Sequence, residues 1–448
     1  MTKDQVLAQV KASDIELVRF LYCDNGNIIR GKMAHRDSLA GFMESGIGLT
    51  VAMQGFCITE HLAAGTSLGP VGEIRLVPDP NTFSILPYAP DQARMMVDMM
   101  RLDKQPWELC PRSFLKRMIA QLANQGLEAV AAFEFEFYLA RRKADGGFET
   151  FDDSLCFASA GMDSAGDIMV EVSRALYQQG IPLQQYYPEL GPGQQEISVR
   201  HAPALVAADR NIAVRTTLHG VAIQHDLVVS LAPKPFLNQA GNGCHLHLSL
   251  WRDGQNVLYD PEDKLGLSST GYHFINGILT HLPALLAVTC PSVNSYARLK
   301  PNMWSSAYTC YGPDNREAAV RIASPFWGRE AESTNFELKS IDASANPYLA
   351  LGAVIACGLD GLRRKKHPGE PVTVNPFRLS EKARAARGIK RFPETLDAAL
   401  DHLEQDEVLL EALGEPLAKE FIAVRRSEWE DFKGLDPEQV ALKHFHRY

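Results

Sequence analysis

Residues 241–250 read GNGCHLHLSL, a glycine-rich turn that runs into alternating polar and apolar residues. As a strand, this stretch sets His245, His247 and Ser249 on one face and Leu246, Leu248 and Leu250 on the other. Two imidazoles on one strand face have two explanations: hydrogen-bonded, half-buried histidines, or ligands. The choice depends on what partners the rest of the chain supplies.

Residues 131–140, AAFEFEFYLA, supply the first. Glu134 and Glu136 alternate with Phe133, Phe135 and Phe137, so both carboxylates share one face of an apolar strand. A solvated strand face accounts for them; burial would instead raise both pKa values unless a positive charge, such as a divalent cation, lay between. In YYPELGPGQQEISVR (186–200), Glu189 and Glu196 flank a Gly-Pro-Gly turn. Such a turn either gathers them at one point or leaves two solvated surface glutamates. In NFELKSIDASANPYL (335–349), Glu337 and Lys339 share a strand face, as a surface ion pair or as part of a site.

Together these stretches offer five carboxylates and one or two imidazoles with no thiolate. Oxygen-rich sets of this kind suit Mg²⁺ or Mn²⁺ rather than zinc. Six donors are enough for two ions, an arrangement that clamps phosphoryl oxygens. Residues 294–322, NSYARLKPNMWSSAYTCYGPDNREAAVRI, add Arg298, Arg316 and Arg321. Arginines suit bidentate recognition of carboxylate and phosphate, although each taken singly also reads as a surface residue. There is no GxxxxGK[ST] loop and no GxGxxG after a strand, so a nucleotide must be held by other means.

The chain has 448 residues, 46% of them hydrophobic and 22% charged, which is the balance of an ordinary globular protein. A net charge of −9 and the lack of a long basic cluster argue against nucleic-acid binding. Arg363-Arg364-Lys365-Lys366 reads as a solvated helix end. The eight cysteines form no CxxC pair, and the N-terminus MTKDQVLAQVKASD has no apolar core. Both features point to a reducing, cytoplasmic setting with no membrane partner. The longest apolar stretch, around HLPALLAVTCP, is too short to span a bilayer.

The first hundred residues read as short strands with turns, DNGN marking a hairpin between IELVRFLYCD and NIIRGKMA. Longer helices then alternate with strands: PRSFLKRMIAQLANQG, SAGDIMVEVSRALYQQG, PALVAADRNIAVRTTLHGVAIQHD, TGYHFINGILTHLPALLAV and ANPYLALGAVIACGLDGL read as helices. Two charged helices are expected to finish the chain. The pattern is α+β: a small, mostly β domain over residues 1–105, then a large domain over 106–448.

The ordered set EFEFYL, PELGPGQQEI, GNGCHLHLSL, NSYARL, DNREAAVRI and FELKSIDASANPYLALGAVIACGLDGL resembles the glutamine synthetase superfamily, over residues 15 to 365 at least. The resemblance implies an N-terminal β-grasp domain and a C-terminal split β/α barrel-like catalytic domain. It further implies a homo-oligomer of stacked rings, dodecamers among them, with active sites between subunits. By resemblance, Glu136, Glu189 and Glu196 would hold one metal ion, and Glu134, His245 and Glu337 another that orients the phosphates of ATP. His247 and Ser249 would contact the nucleotide. Arg298, Arg316 and Arg321 would grip the glutamate carboxylate and the transferring phosphate, with Arg316 and Arg321 acting in catalysis and Arg321 also meeting the nucleotide. Gly241 would lie in the loop that meets the glutamate amino group.

The pattern departs from ammonia-using members at the amine end. Where those carry an acidic residue in the flap after NSY-x-R, Trp304 stands here, and the region GLTVAMQGFCITEH lacks their DGSS-like stretch. An aromatic in that place favours an amine with an apolar body. Lys339 and Ala240 stand where the family carries Arg and Asn, which bears on how the carboxylate substrate is held. No tyrosine segment of the adenylylated kind is present. The expected activity is an ATP-dependent ligase joining the γ-carboxylate of glutamate to an organic amine, with two or more Mg²⁺ or Mn²⁺ ions. The alternatives are an ammonia-using enzyme and a relative without catalysis.

Overall fold

A computed structural model describes all 448 residues. The strand that organises the larger domain is Glu128–Arg142, where Phe133, Phe135 and Phe137 enter the core and the glutamates between them face the other way. It lies inside an eleven-stranded sheet. From one edge the path runs Tyr311–Pro313, Val320–Ala323, Asn335–Leu338, Leu246–Arg252, Glu128–Arg142, Gln194–Val199 and Leu183–Pro188. The long helices Pro111–Ala123, Ala204–Gln224, Ser269–Thr289 and Pro347–Arg364 contribute to the same apolar core as the phenylalanines. The opposite sheet face is therefore free to carry polar side chains.

Residues 17–100 build a separate six-stranded sheet in the order Ile29–His35, Leu17–Cys23, Gln92–Met100, Glu73–Pro78 and Ile47–Thr50, with Ser84–Ile85 beside Gln92–Met100. Leu17–Cys23 and Gln92–Met100 run parallel, while the other neighbours are antiparallel. This sheet has its own core, into which Trp107, Leu109 and Cys110 still pack. The two-domain α+β architecture expected from the sequence is thus present.

Two local differences from the sequence reading have clear causes. The first hundred residues hold two helices, Lys3–Ala12 and Arg36–Ser45, as well as strands. The first starts at a capping box between Thr2 and Gln5, a short-range signal that outweighs its weak apolar periodicity. The chain also ends in five helices rather than two, four of them short, each of the breaks lying at a capping residue or turn such as Asp406, Gly414 and Asp436.

The expected hairpin at DNGN forms, with Cys23 opposite Ile29, but its turn is not a solvated tip. Asp24, Asn25 and Asn27 are buried. Asn27 donates to the carbonyl of Ala343 at 2.7 Å and accepts from Arg215 at 3.1 Å, and Asn346 donates to the carbonyl of Cys23 at 3.2 Å. The turn is a polar plug joining the two domains.

Candidate active site

Strand register alone gathers most of the expected residues. In an antiparallel pair, residues directly opposite one another point to the same side of the sheet. Glu196 is opposite both Glu136 and Tyr187, His247 is opposite both Ala132 and Glu337, and Arg321 is opposite Glu337. Glu134, Glu136, Glu196, His247, Glu337 and Arg321 therefore share the face turned away from the phenylalanine core.

His245 sits just before its strand, which begins at Leu246, yet it continues the ladder: its carbonyl accepts from the N–H of Glu134 at 3.0 Å. Its ring is buried at the centre of the cluster. Nδ1 lies 3.3 Å from Glu337 and 3.8 Å from Glu134, and Nε2 lies 3.6 Å from Glu136. His247 Nε2 is 3.3 Å from Glu134, while its Nδ1 is 2.8 Å from the side-chain oxygen of Asn335. Glu134, His247 and Glu337 also offer three donor atoms within 4.8 Å of one another, so both imidazoles reach the carboxylates. Ser249 continues the same face and accepts from the indole N–H of Trp251 at 2.8 Å.

Two glycines make room for this packing. A Cβ on Gly243 would stand 2.5 Å from His245 Nε2, and one on Gly241 would stand 2.7 Å from Cγ of Arg298. Arg298 is buried beneath that loop and donates to the carbonyl of Ile341 at 2.9 Å. Arg321 pairs with Glu337 at 2.5 Å. Lys339 Nζ stands 3.3 Å from the same carboxylate and 3.4 Å from His245 Nε2. Arg316 stands apart, exposed along a groove of about 450 Å³ whose wall includes Trp304, Glu317 and Asn375.

The two halves of the cluster differ in charge. Burial disfavours ionised Glu134, but the imidazoles of His247 and His245 outweigh it and hold the carboxyl well below its usual range. Glu337, also against burial, is brought down to about 2 by Lys339, His245, His247 and Arg321. His247 rises to about 9 because Glu134 outweighs its desolvation. At the other end, burial and then the charge of Glu136 raise both Glu189 and Glu196, Glu196 well above the ordinary value. Each of the three carboxylates accepts a hydrogen bond, Glu196 from the Tyr187 hydroxyl at 2.5 Å, Glu189 from the N–H of Leu190 at 2.6 Å and Glu136 from the N–H of Gly243 at 2.8 Å, but none of these donors carries a positive charge. A divalent cation is the group that such a set lacks, and its all-oxygen donors fit Mg²⁺ or Mn²⁺.

Residues 108–444 match the family model described as glutamine synthetase, catalytic domain, and residues 1–107 match that of the glutamine synthetase N-terminal domain. The chain belongs to the glutamine synthetase family. It is 37% identical over 430 residues to the gamma-glutamylpolyamine synthetase GlnA3 of Streptomyces coelicolor, covering 95% of this chain and 92% of that one. It is 32% identical over 440 residues to a glutamine synthetase of Methanosarcina mazei, covering 97% and 95%. A crystal structure of a novel glutamine synthase homolog superposes with a TM-score of 0.87 at 34% identity, covering 97% of this chain and 99% of that one. Like other glutamine synthetase family enzymes, the protein is an ATP-dependent ligase. No helix is long and apolar enough to cross a membrane.

Some residues around this cluster escaped the sequence reading. Tyr187 and Asn335 each lie two residues before a cluster glutamate, Glu189 and Glu337, and that spacing was the available signal. Glu317 carried none: its partners are backbone N–H groups of the segment that bears Trp304.

Proposed function

We propose that the protein is a glutamate–amine ligase that joins the γ-carboxylate of glutamate to an organic amine, with release of ADP and phosphate. The observation that carries this reading is the flap. Trp304 is 61% exposed and lines the groove beside Arg316, while the neighbouring carboxylate, Glu317, is engaged by the backbone. An indole in that place offers packing and a cation–π face to an amine with an apolar body, and offers no carboxylate to ammonium. The name of the Streptomyces relative, a gamma-glutamylpolyamine synthetase, points the same way. The glutamine synthetases among the relatives favour ammonium as the second reading.

In this reading Glu136, Glu189 and Glu196 hold one divalent ion and Glu134, His245 and Glu337 the other. Bound there, the ions would neutralise charge on the phosphoryl oxygens of ATP. The remaining work falls to side chains. His247 and Ser249 meet the nucleotide; Arg298 and the Gly241 loop seat glutamate, with Lys339 close by. Arg316 and Arg321 balance charge as the γ-phosphoryl group passes to the carboxylate. The carboxylate becomes an acyl phosphate, the amine nitrogen attacks its carbonyl and loses a proton, and phosphate leaves. The working form is a cytoplasmic ring assembly with sites between subunits.

The deciding experiment is phosphate release from ATP with Mg²⁺ and glutamate, comparing ammonium with mono-, di- and polyamines. Turnover with an organic amine and little with ammonium is expected. Strong turnover with ammonium alone sinks the reading of the flap. Silence with every amine, while ATP still binds, turns the question to glutamate and Lys339.

A further inference from the structure

The segment that carries Trp304 has an unusual backbone. Asn302, Trp304 and Ser306 all have positive φ, at 63°, 58° and 63°. Asparagine tolerates the left-handed region, but a bulky aromatic residue does not enter it without support. The backbone N–H groups of Asn302 and Trp304 are both held by one carboxylate. Glu317 accepts the N–H of Trp304 on Oε1 at 2.9 Å and the N–H of Asn302 on Oε2 at 3.2 Å. Further ties come from Asn375, which donates to the side chain of Asn302 at 2.9 Å, and from Ser305, whose hydroxyl donates to the carbonyl of Arg298 at 2.7 Å.

Glu317 is itself anchored. Its N–H donates to Asn315 Oδ1 at 3.1 Å, and the amide of Asn315 donates to the carbonyls of Val372 and Val374 at 2.7 and 3.0 Å. Glu317 is buried and follows Arg316 directly in the chain, so one short turn presents the guanidinium to the groove and turns the carboxylate to the back of the Trp304 segment.

We infer that Glu317 is the positioning residue of the amine end: it holds the Trp304 segment in its strained conformation and so fixes the indole as one wall of the groove beside Arg316. The inference rests on the amine-ligase reading for its kinetic consequence, and its structural part stands independently. A carboxylate is suited to this because it has two acceptor oxygens and no donor. Glutamine keeps the size but offers one acceptor oxygen and turns an NH₂ group toward a backbone N–H. Glu317 is thereby distinguished from a general base, whose loss would remove a titrating group from the chemistry.

The test is Glu317→Gln in the full-length enzyme, read by amide hydrogen exchange over residues 300–306 and by steady-state kinetics. Exchange at residues 302 and 304 is expected to accelerate by about tenfold or more. The KM for the amine is expected to rise by about fivefold or more, with the KM for ATP nearly unchanged and the pH profile of kcat retained. Trp304→Ala should reproduce the KM change with the Glu317 clamp intact. Exchange at the wild-type rate in Glu317→Gln overturns the inference, as does fast exchange with an unmoved amine KM. So does a collapse of kcat with loss of a limb of its pH profile, which would make Glu317 a proton acceptor. If the glutamine variant does not fold, Glu317→Asp, which withdraws the carboxylate by one methylene, is read by the same criteria. If the wild-type enzyme uses ammonium alone, the amine-ligase reading fails separately, and the KM for ammonium with the same exchange data decides the role of Glu317.

Discussion

Glu136 and Glu196 stand opposite each other as register partners on adjacent antiparallel strands, with the Tyr187 hydroxyl rather than a cationic side chain on the latter. Like charges directly opposed on a sheet are unfavourable, and burial adds to the penalty. A few ångströms away, Glu337 is surrounded by Lys339, Arg321 and His245. One sheet face thus holds a charge-balanced half and a charge-deficient half. The deficient half is where a divalent ion gains most from binding.

The first prediction concerns metal removal. Glu189 and Glu196 have folded pKa values raised above their unfolded ones, so the metal-free fold retains protons that the unfolded chain releases. Their contribution to stability is present at low pH and is lost as pH rises through the raised values. Glu196→Gln keeps an acceptor for the Tyr187 hydroxyl and removes the charge. In EDTA it is expected to stabilise the protein by about 1 kcal/mol or more at pH 8, a few degrees in Tm, and by less at pH 5. Thermal unfolding with and without Mg²⁺ checks it, since the variant should also lose most of the metal-induced shift. An equal Tm gap at both pH values would contradict the charge argument.

Glu134 is predicted to be needed for catalysis and to set the charge state of His247. Replacing it with Gln removes the main partner that raises His247 to about 9, so the imidazole should titrate closer to its ordinary value of about 6.5. Activity should fall by about a thousandfold or more, because the balanced half loses one of its anionic donors. Imidazole proton NMR and phosphate release read the two effects separately. A variant with wild-type turnover would remove this half of the cluster from the chemistry.

Trp304→Glu tests the substrate end. A carboxylate in the flap would attract ammonium and lose the aromatic surface offered to an apolar amine. The ratio of kcat/KM for ammonium to that for the best organic amine should rise by about tenfold or more. An unchanged ratio would mean that the indole plays no part in choosing the amine.

What the sequence made legible follows from how each signal is encoded. The alternation of Phe133, Glu134, Phe135, Glu136 and Phe137 states both the strand and its two faces, and the structure follows it. The helix from Pro347 was legible because Asn346 caps it and Pro347 opens it. The helix at Lys3–Ala12 was not, since it buries only Val6 and Val10 and its start signal spans just four residues. The clamp by Glu317 lies beyond any pattern of residue types: its partners are backbone N–H groups 13 and 15 positions earlier, exposed by left-handed φ angles. The buried turn at Asp24–Asn27 was read as a hairpin but not as a domain contact, because its partners Arg215, Ala343 and Asn346 are far away in sequence.

The last prediction concerns acid stability. His444 is 1% exposed, donates Nδ1–H to the carbonyl of Val440 at 2.7 Å, and lies against the ring of Phe432. Burial, reinforced by the nearby charges of Arg425 and Arg447, lowers its pKa to about 4. A histidine with a depressed folded pKa leaves stability intact above its unfolded value and removes it as pH falls toward the folded one. The loss between about pH 6.5 and pH 4 amounts to roughly 3 kcal/mol. His444→Asn retains a side-chain N–H without the ionisable ring, so it should be less stable than wild type at pH 7.5 through lost packing. The gap should narrow steadily below pH 6.5, because only the wild type carries this protonation penalty. Melting temperatures of both proteins across pH 4.5–7.5 decide the matter; parallel curves would show that His444 does not contribute to acid sensitivity.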